Sequence, residues 1–566
     1  IVVAGGAGGV TGVTATASAL TGPGSASIPV EQVMLYQAAL YQVVTPSNTE
    51  GAAGPWPDPL IPAVDAYEAE TRNAFPFDVA ASESRVIWVE VLVPPATPAG
   101  TYTGTVSVEG TGLTTTEIAV SLRVRGFELP STATLKSAFG VSWNVCAAHL
   151  GSYANCGDAG IEQYQVLYGR AALDHRISLE SVVYYGPDGS DWSRFDGLYG
   201  PLLDGTAATR LAGARQTTMR LMTSDPGEMA LWQSHFSAEG WLDRLFDYTC
   251  DEPPIGCAFS EIATRAAPVH AAGIRTLVTT DIDEMEAENL SDHIDIAVPI
   301  VNYMHEEGGS PRRADYDAFL ASSADKELWM YQSCMSHGCG NGCVETTDDY
   351  WTGWPSYMID ASALQNRAME WMSFQYDLTG ELYFQSTHML STAWDDQCDF
   401  SGNGDGNLFY PGTPAQIGGT SHIPIESIRL KLIREGMEDF EYLVLLCQLG
   451  DCEMARSEAA ALFPDPFTIT DATPEELLAT RARIADRIEQ LSGSGGAGGA
   501  GGAGVGGSGT GNSGTGGSGA SGDPGASPSE DDGGCGCRVG PAGRAGVTLL
   551  LLMTFAAAAA GRRRRK

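Results

Sequence analysis

Two neighbouring carboxylates, Asp251 and Glu252, are the residues of this sequence best placed to do chemistry. They follow an apolar run within residues 242–254 (LDRLFDYTCDEPP), and Pro253 ends the strand there. Like charges that are close together and partly removed from water push their pKa values apart, so one carboxyl stays protonated while the other stays ionised. Cleavage of a glycosidic bond needs this division of labour. The alternative is a solvated acidic turn, because Asp and Glu are common in this chain.

A (β/α)8 barrel of the TIM type is the architecture that we expect to position this pair. After Pro130, short apolar runs alternate with amphipathic stretches, which is typical of βα units with a parallel sheet. Such a barrel carries its catalytic groups where the strands end. A doubly wound open sheet is the alternative, but no GxGxxG motif follows a strand. The predicted strands are residues 136–143, 177–183, 216–222, 244–249, 276–280, 294–301, 327–332 and 381–386. The predicted helices include residues 160–175, 258–272, 315–323 and 361–376.

The N-terminal region is predicted to be an antiparallel β-sandwich. Residues 86–127 alternate with a period close to two, are rich in β-branched and aromatic residues, and are bounded by Gly and Pro. Residues 33–44 fit the same pattern, and the sandwich should close near Pro130. No titratable groups occur there in a catalytic spacing, so a packing or ligand-positioning role is expected. The predicted fold class is therefore α/β: a TIM-like barrel preceded by a β-sandwich, with a C-terminal helical extension and a disordered tail.

Several segments resemble glycoside hydrolase family 123 and its relatives with the domain of unknown function 4091. They are GPWPDPLIP, WVEVLVPPATPAGTYTGTVSV, RGFELP, FDYTCDEPP, GDGNLFYPG and IESIRLKLIREGMEDFEYLVLL. The family is known for β-N-acetylgalactosaminidase activity by substrate-assisted catalysis. The resemblance implies that Glu252 is the general acid/base. Asp251 would orient and stabilise the 2-acetamido group of the substrate, which attacks the anomeric carbon. Phe384 stands where the family usually has Trp, so the exact sugar stays open.

Aromatic side chains near strand ends are candidates for stacking on sugar rings. We select Tyr303, Tyr331 and Trp394 as substrate-binding residues, although an aromatic residue in a strand or loop is more often part of the core. Residues 399–406 are similar to the start of a calcium loop, but Tyr410 stands at the twelfth position, where such a loop needs Glu, and the histidines show no HExxH spacing. We therefore assign no metal and no cofactor.

Residues 425–446 predict an amphipathic helix of strong helix formers. Arg429 and Glu435 on this helix are either part of a solvated face with i,i+4 pairs or turn inward. We expect them to turn inward and brace the barrel mouth.

Charge and cysteine spacing limit the class of protein. The formal net charge is −38 and the isoelectric point is about 4.4, which argues against nucleic acid as a partner. The cysteines occur in locally close groups, and we expect disulfides rather than zinc ligands, with connectivity left open. The groups are Cys146/Cys156, Cys250/Cys257, Cys447/Cys452 and Cys334/Cys339/Cys343/Cys398.

The C-terminal segment predicts that the protein is located at the cell surface. A Gly/Ser-rich tether is followed by Cys535 and Cys537, an apolar run at residues 545–560 and the basic end RRRRK. This order resembles myxobacterial C-terminal sorting tags of the MYXO-CTERM type. The resemblance implies export, retention at the cell surface or outer membrane, and sorting or processing machinery as a partner. Whether the apolar helix stays in the mature protein is left open.

The predicted organisation has five parts. These are a sandwich (1–130), a barrel catalytic domain (131–450), C-terminal helices (451–491), a linker (492–534) and a tag (535–566). The leading functional hypothesis is a cell-surface glycoside hydrolase that acts on an oligosaccharide or polysaccharide. The alternatives are a catalytically inactive glycan-binding surface protein and a structural surface protein.

Overall fold

The computed structural model describes residues 1–305, 311–332, 353–399, 402–465, 467–469 and 471–494. Cys334, Cys339 and Cys343 lie outside these ranges, as do the predicted tag and most of the predicted linker. No helix in the described ranges has the length and apolar character needed to cross a bilayer, and the apolar run at residues 545–560 is outside them. The described disulfides are Cys146–Cys156, Cys250–Cys257 and Cys447–Cys452.

Twenty-one strands and fourteen α-helices are present in the described residues. The strands are β1 (Val2–Ala4), β2 (Val10–Ala17), β3 (Leu20–Thr21), β4 (Ser27–Ile28), β5 (Val33–Val43), β6 (Gly54–Pro62), β7 (Phe77–Val79), β8 (Ser84–Val91), β9 (Gly100–Thr111), β10 (Leu113–Val124), β11 (Lys136–Phe139), β12 (Met219–Arg220), β13 (Leu245–Cys250), β14 (Arg275–Val278), β15 (Ile296–Ala297), β16 (Glu327–Tyr331), β17 (Gly380–Tyr383), β18 (Cys398–Asp399), β19 (Gly402–Asn403), β20 (Phe409–Gly412) and β21 (Ile423–Ser427). The helices are α1 (Val145–Leu150), α2 (Gly157–Leu173), α3 (Ser193–Leu198), α4 (Gly200–Asp204), α5 (Pro226–Glu239), α6 (Phe259–Ala271), α7 (Ile282–Ala287), α8 (Asp317–Ser322), α9 (Ala363–Arg367), α10 (Met369–Gln375), α11 (Pro414–Ile417), α12 (Ile428–Gln448), α13 (Cys452–Leu462) and α14 (Pro474–Ser494).

The N-terminal region contains two antiparallel sheets, as predicted. One has the strand order β1-β8-β5-β6-β21-β20, and the other has the order β4-β3-β9-β2-β7 with β10 paired to β9. Alternate side chains such as Val13, Ile87 and Val106 point between the sheets and form a common apolar core. The first sheet also takes up β20 and β21 from far along the chain, with Glu426 opposite Leu60. The sandwich and the catalytic region are therefore joined by a shared sheet, which local sequence patterns did not predict.

Seven parallel strands form a nearly closed barrel, in the order β11-β17-β16-β15-β14-β13-β12. Seven of the eight predicted segments overlap one of these strands. The exception is the segment of residues 177–183, which is not a regular strand, so the prediction of eight regular strands is corrected to seven. Leu179 of this segment forms an isolated parallel bridge with Phe139, and the Glu180 carbonyl accepts a 2.9 Å hydrogen bond from the Arg220 amide. The segment therefore lies between the two edge strands of the sheet.

Side chains from alternate strand positions fill the inside of the barrel. Because successive residues of a strand point to opposite faces, one set packs inside and the other packs under the surrounding helices. The inner cluster consists of Ala138, Phe246, Leu277, Ile296, Val298, Trp329, Tyr331 and Leu382. Gly380 makes room for the largest of these side chains, since a Cβ at Gly380 would lie 2.5 Å from the Trp329 ring.

Helix α12 packs against the first sheet, through β6 and β21, and against the helices α13 and α14. It begins at Ile428, because the first residues of the predicted helix belong to β21. Arg429 is buried, and its guanidinium binds Asp58 of β6 at 2.9 Å and the Gly404 carbonyl at 2.8 Å. Glu435 instead pairs with Arg481 of α14 at 2.8 Å. Arg429 thus turns inward as predicted, whereas Glu435 braces α14 and not the barrel mouth.

Candidate active site

Asp251 and Glu252 follow directly after β13, at the carboxyl end of the parallel strands. A disulfide between Cys250 and Cys257 closes the loop that carries them. Within this loop the Gly256 amide donates to the Asp251 carbonyl at 2.9 Å. Only glycine fits there, since a Cβ would lie 2.3 Å from the same carbonyl oxygen. The covalent link and the close backbone approach together hold the two carboxylates at the end of the strand.

The backbone of Glu252 has a left-handed conformation, with φ of 41°. Residues with a side chain rarely adopt this region, and it is held here against its intrinsic cost by surrounding contacts. One contact is the Glu252 amide, which donates to the Thr279 hydroxyl at 2.6 Å. Thr279 follows β14, the neighbouring strand. The direction of the Glu252 side chain is therefore fixed by its backbone and by the next strand.

Asp251 accepts hydrogen bonds from two hydroxyls on one of its carboxylate oxygens. The Tyr248 hydroxyl donates to Asp251 Oδ1 at 2.7 Å, and Thr279 Oγ1 is 3.2 Å from the same atom. Asp251 is otherwise exposed. The two hydroxyls thus hold Oδ1 of Asp251 in place, and the carboxylate of Asp251 still lies at the open end of the barrel.

Glu252 is in a different environment from its neighbour. Burial raises the pKa of Glu252, and the charge of Asp251 raises it further, while a hydrogen bond from Tyr331 opposes this. The Tyr331 hydroxyl donates to Glu252 Oε1 at 2.5 Å from β16, the third strand along from β13. A carboxyl with a raised pKa retains a proton at higher pH than a free glutamic acid does. The pair can therefore offer a proton from Glu252 and a negative charge from Asp251.

The structure separates the three aromatic residues predicted to bind substrate. Tyr331 lies inside the barrel on Glu252, and Tyr303 lies in a short turn after β15 with 47 % of its surface exposed. Trp394 packs against Tyr410 at 5.1 Å between ring centroids, in an apolar cluster with side chains of the first sheet, and its Nε1 donates to the Pro411 carbonyl. Trp394 is thus part of a structural cluster outside the barrel interior.

Four exposed aromatic side chains lie after the ends of barrel segments. Trp143, Tyr185, Tyr303 and Phe384 are between 39 % and 47 % exposed. Trp143 packs edge-on against Tyr184 at 5.4 Å, so this part of the rim is preorganised. Such partly exposed rings at one end of a barrel can stack on the apolar faces of sugars.

Sequence reasoning missed two residues that hold Asp251 and Glu252 in place. Tyr248 and Thr279 were not predicted as site residues, although each lies within a predicted strand. Glu180 and Arg220 lie within the predicted segments 177–183 and 216–222, and both point toward the inside of the barrel because their neighbours Leu179 and Met219 pack in the outer core. No group of three His, Cys, Asp or Glu side chains suited to a metal ion occurs in the part of the chain that the structure describes.

Two family models match the chain. The glycoside hydrolase 123 N-terminal domain matches residues 1–110, and the glycoside hydrolase 123 catalytic domain matches residues 232–446. Together they span more than half of the chain, and the second includes both carboxylates. No curated protein matches.

Among solved structures, the chain is similar to a family 123 glycoside hydrolase from Clostridium perfringens that hydrolyses glycolipid glycans. The identity is 12 %, with 86 % of this chain and 90 % of that chain covered and a TM-score of 0.59, which shows a shared fold. A β-glucuronidase from Ruminococcus gnavus is 11 % identical over 76 % of this chain and 67 % of that chain. Its TM-score of 0.26 is too low to carry an argument.

Proposed function

Because this chain belongs to glycoside hydrolase family 123 and is therefore a glycosidase, we propose that it hydrolyses N-acetyl-β-hexosaminides of the N-acetylgalactosamine type. The proposed mechanism is substrate-assisted and retains the anomeric configuration. Glu252 is the general acid/base, and Asp251 orients the 2-acetamido group of the sugar.

The arrangement around Glu252 is the observation that carries this proposal. An ordinary retaining glycosidase places a second carboxyl about 5–5.5 Å away, across the sugar, as its nucleophile. The side chain that reaches Glu252 from three strands away is Tyr331, which is not a carboxylate. Among the described residues, the carboxylate at the same strand end is the adjacent Asp251. Two neighbouring carboxyls on one loop suit a reaction in which the substrate supplies its own nucleophile.

The proposed first step uses each group once. Protonated Glu252 gives its proton to the glycosidic oxygen while the acetamido oxygen attacks the anomeric carbon, and the bond to the leaving group breaks. The resulting cyclic oxazolinium is positively charged. The Asp251 carboxylate accepts a hydrogen bond from the acetamido N–H and stabilises that charge. Tyr248 and Thr279 hold Asp251 in place for this contact. In the second step ionised Glu252 takes a proton from a water molecule whose oxygen attacks the anomeric carbon. The bond between that carbon and the acetamido oxygen breaks, which opens the ring and restores the acetamido group.

The preferred substrate is proposed to be a glycan head group with a terminal 2-acetamido sugar. The relative from Clostridium perfringens acts on glycolipid glycans, and the exposed aromatic rim of this chain supports binding of more than one sugar unit. We interpret the barrel as the (β/α)8 type in which residues 177–183 take the place of the second strand.

A glycan-panel experiment tests the function. The whole chain is incubated with chromogenic N-acetyl-β-galactosaminide, its 2-hydroxy counterpart and a glycolipid head-group oligosaccharide, and the product anomer is followed by NMR. We expect hydrolysis only where the 2-acetamido group is present, with retention of configuration. Inversion, or equal turnover of the 2-hydroxy sugar, would rule out substrate assistance. Turnover of none of the compounds would refute the proposed substrate class.

We also propose that the enzyme works at the cell surface. The support is the order of the glycine-rich tether, Cys535 and Cys537, the apolar run and the basic end in the sequence. The division into sandwich, barrel, helices, linker and tag stays a prediction. Fractionation of producing cells with antibody against the barrel tests this. Activity confined to the soluble cytoplasmic fraction would contradict it.

A further inference from the structure

Glu180 is a buried carboxyl inside the barrel that the proposed mechanism does not use. Its amide donates to the Phe139 carbonyl at 3.0 Å and its carbonyl accepts from the Arg220 amide at 2.9 Å, so the segment runs extended between two strands. Leu179 faces the outer core, and the alternation along an extended chain turns Glu180 inward. The residue is only 7 % exposed, and its Oε2 atom has no hydrogen-bond partner.

Arg220 lies beside Glu180 and close to the catalytic pair. Its neighbour Met219 packs in the outer core, which turns Arg220 to the inside of the barrel. The guanidinium carbon is 5.2 Å from the centroid of the Tyr248 ring. The hydroxyl of that same tyrosine donates to Asp251. Arg220 is therefore separated from the catalytic carboxylate by one side chain.

The Arg220 guanidinium is unpaired in the described part of the chain, where its side chain makes no hydrogen bond and no ion pair. Arg220 is half-buried, whereas three buried arginines elsewhere in the described chain are closely paired. Arg429 binds Asp58 at 2.9 Å, Arg367 binds Asp439 at 2.6 Å, and Arg72 binds Asp65 at 2.8 Å. The Arg220 guanidinium and Glu180 Oε2 lie on adjacent segments of the barrel. The guanidinium can donate hydrogen bonds to a ligand, and the carboxylate oxygen can accept one.

Sugar hydroxyls have the complementary chemistry. Each hydroxyl donates one hydrogen bond and accepts others, so it can donate to a carboxylate while a neighbouring hydroxyl accepts from a guanidinium. We propose that Glu180 and Arg220 bind ring hydroxyls of the sugar whose glycosidic bond is cleaved, and that they thereby select its configuration. This inference rests on the proposed function. It adds a recognition site for the hydroxyls away from the anomeric carbon, at positions 3, 4 or 6.

The depth of Glu180 adds a consequence for the substrate. Hydroxyls that reach a nearly buried carboxyl must belong to a sugar that carries no further residue at those positions, because an additional sugar would have to fit inside the packed barrel.

Matched variants and deoxy substrates test this proposal. The variants are Glu180→Gln and Arg220→Lys, with Glu117→Gln on the exposed face of β10 as the control of the same chemical change. The substrates are the nitrophenyl N-acetyl-β-galactosaminide and its 3-deoxy, 4-deoxy and 6-deoxy analogues. Binding of the corresponding free sugars to the whole chain is measured in parallel by NMR. Thermal unfolding shows whether each variant is folded.

We expect each site variant to lose about 10- to 100-fold in kcat/KM on the parent substrate. The deoxy analogue that lacks the recognised hydroxyl should be hydrolysed equally by wild type and variant, because the contact is already absent. Equal losses on the parent and on all three analogues would overturn the proposal, as would unchanged activity. Restoration of the activity of the Glu180→Gln variant by azide would also overturn the proposal, because such rescue would identify Glu180 as a catalytic nucleophile or base.

Failure of the proposed function gives a different pattern. If wild type hydrolyses none of the glycosides, the proposed reaction is wrong, and the sugar-binding measurement then decides the recognition site. Weaker binding of one deoxy sugar, lost in the Glu180→Gln variant, would support the site. Identical binding of all sugars, or no binding at all, would overturn it.

Discussion

The Tyr331 hydroxyl donates a 2.5 Å hydrogen bond to Glu252 Oε1, although the two residues belong to strand ends three positions apart in the barrel. This contact stabilises the ionised form of Glu252, while burial and the charge of Asp251 favour the protonated form. The proton affinity of the proposed general acid is thus set by opposing effects, one of which depends on a single hydroxyl.

Removing that hydroxyl should shift the pH profile. In Tyr331→Phe the ionised form of Glu252 loses a donor, so its pKa rises and the alkaline limb of kcat/KM moves up by about one pH unit. The pH dependence of hydrolysis measures this directly. Tyr376→Phe is the matched control, because the buried Tyr376 hydroxyl has no hydrogen-bond partner. A limb that stays in place or moves to lower pH would contradict the assignment of Glu252 as the acid.

Loss of the proposed acid should depend on the leaving group. In Glu252→Gln, kcat/KM on an oligosaccharide should fall by about 10²- to 10⁴-fold, because the departing alcohol needs a proton. A nitrophenolate leaves without protonation, so its release should fall by a smaller factor. Parallel assays with the two substrates, and Glu117→Gln as the control, measure the difference. Equal losses on both substrates would argue against a role in protonating the leaving oxygen.

The disulfide next to the catalytic pair should matter for activity as well as for stability. Replacing Cys250 and Cys257 by Ser opens the loop. Because the disulfide then no longer restricts the unfolded chain, the free energy of unfolding should fall by about 2.5 kcal/mol. Replacing Cys447 and Cys452, which close a loop of similar length between α12 and α13, should cost about as much. We expect only the first pair to lower kcat, by about tenfold, when both variants are assayed well below their Tm. Similar kcat values in the two variants would mean that the disulfide does not position the carboxylates.

Glu381, a buried carboxyl on the outer face of β17, should make the stability of the protein depend on pH. Burial raises the pKa of Glu381 to about 8, opposed by a hydrogen bond from the Tyr357 hydroxyl, and burial also raises the pKa of the neighbouring Glu370. The folded state therefore binds a proton that the unfolded state releases above pH about 4.5, and this stabilisation is lost as pH rises toward 8. The expected loss is on the order of 2–4 kcal/mol.

Chemical denaturation between pH 5 and pH 9 measures this effect. Glu381→Gln keeps an acceptor for the Tyr357 hydroxyl and carries no charge, so its stability should fall less with rising pH than that of wild type. If wild type and Glu381→Gln have parallel pH profiles, Glu381 is not the group responsible.

Most of the barrel could be predicted because its signals are local. Short apolar runs that end in polar residues indicate buried parallel strands, and seven of the eight segments were found in this way. Asp251 and Glu252 were identifiable for the same reason, since they follow one of those runs. The irregular segment at residues 177–183 was predicted as a strand because periodicity does not report whether a ladder forms on both sides.

Contacts between distant parts of the chain could not be predicted. Glu180 and Arg220 become neighbours only when two segments forty residues apart lie side by side. Trp394 was predicted at the site because an aromatic ring in a loop has the same sequence pattern whether it is buried or exposed. The pairing of β21 with β6 depends on residues more than 350 positions apart, beyond the reach of any local pattern.

The junction between sandwich and barrel gives the last prediction. Arg429 of α12 binds both oxygens of Asp58 on β6, at 3.1 and 2.9 Å, and the Tyr410 hydroxyl donates to the same carboxylate at 2.5 Å. Asp58 is 1 % exposed, so its removal leaves a buried guanidinium without its counter-charge. Asp58→Ala should therefore destabilise the protein by about 3–5 kcal/mol.

The double variant separates the charge from the packing. In Asp58→Ala with Arg429→Met no unpaired charge remains, so part of the stability lost in Asp58→Ala alone should return, because a buried ion pair adds little over apolar groups of similar volume. Urea denaturation of wild type, both single variants and the double variant gives the coupling energy. If the losses of the single variants simply add in the double variant, then Asp58 and Arg429 contribute independently and the ion pair does not join the sandwich to the barrel.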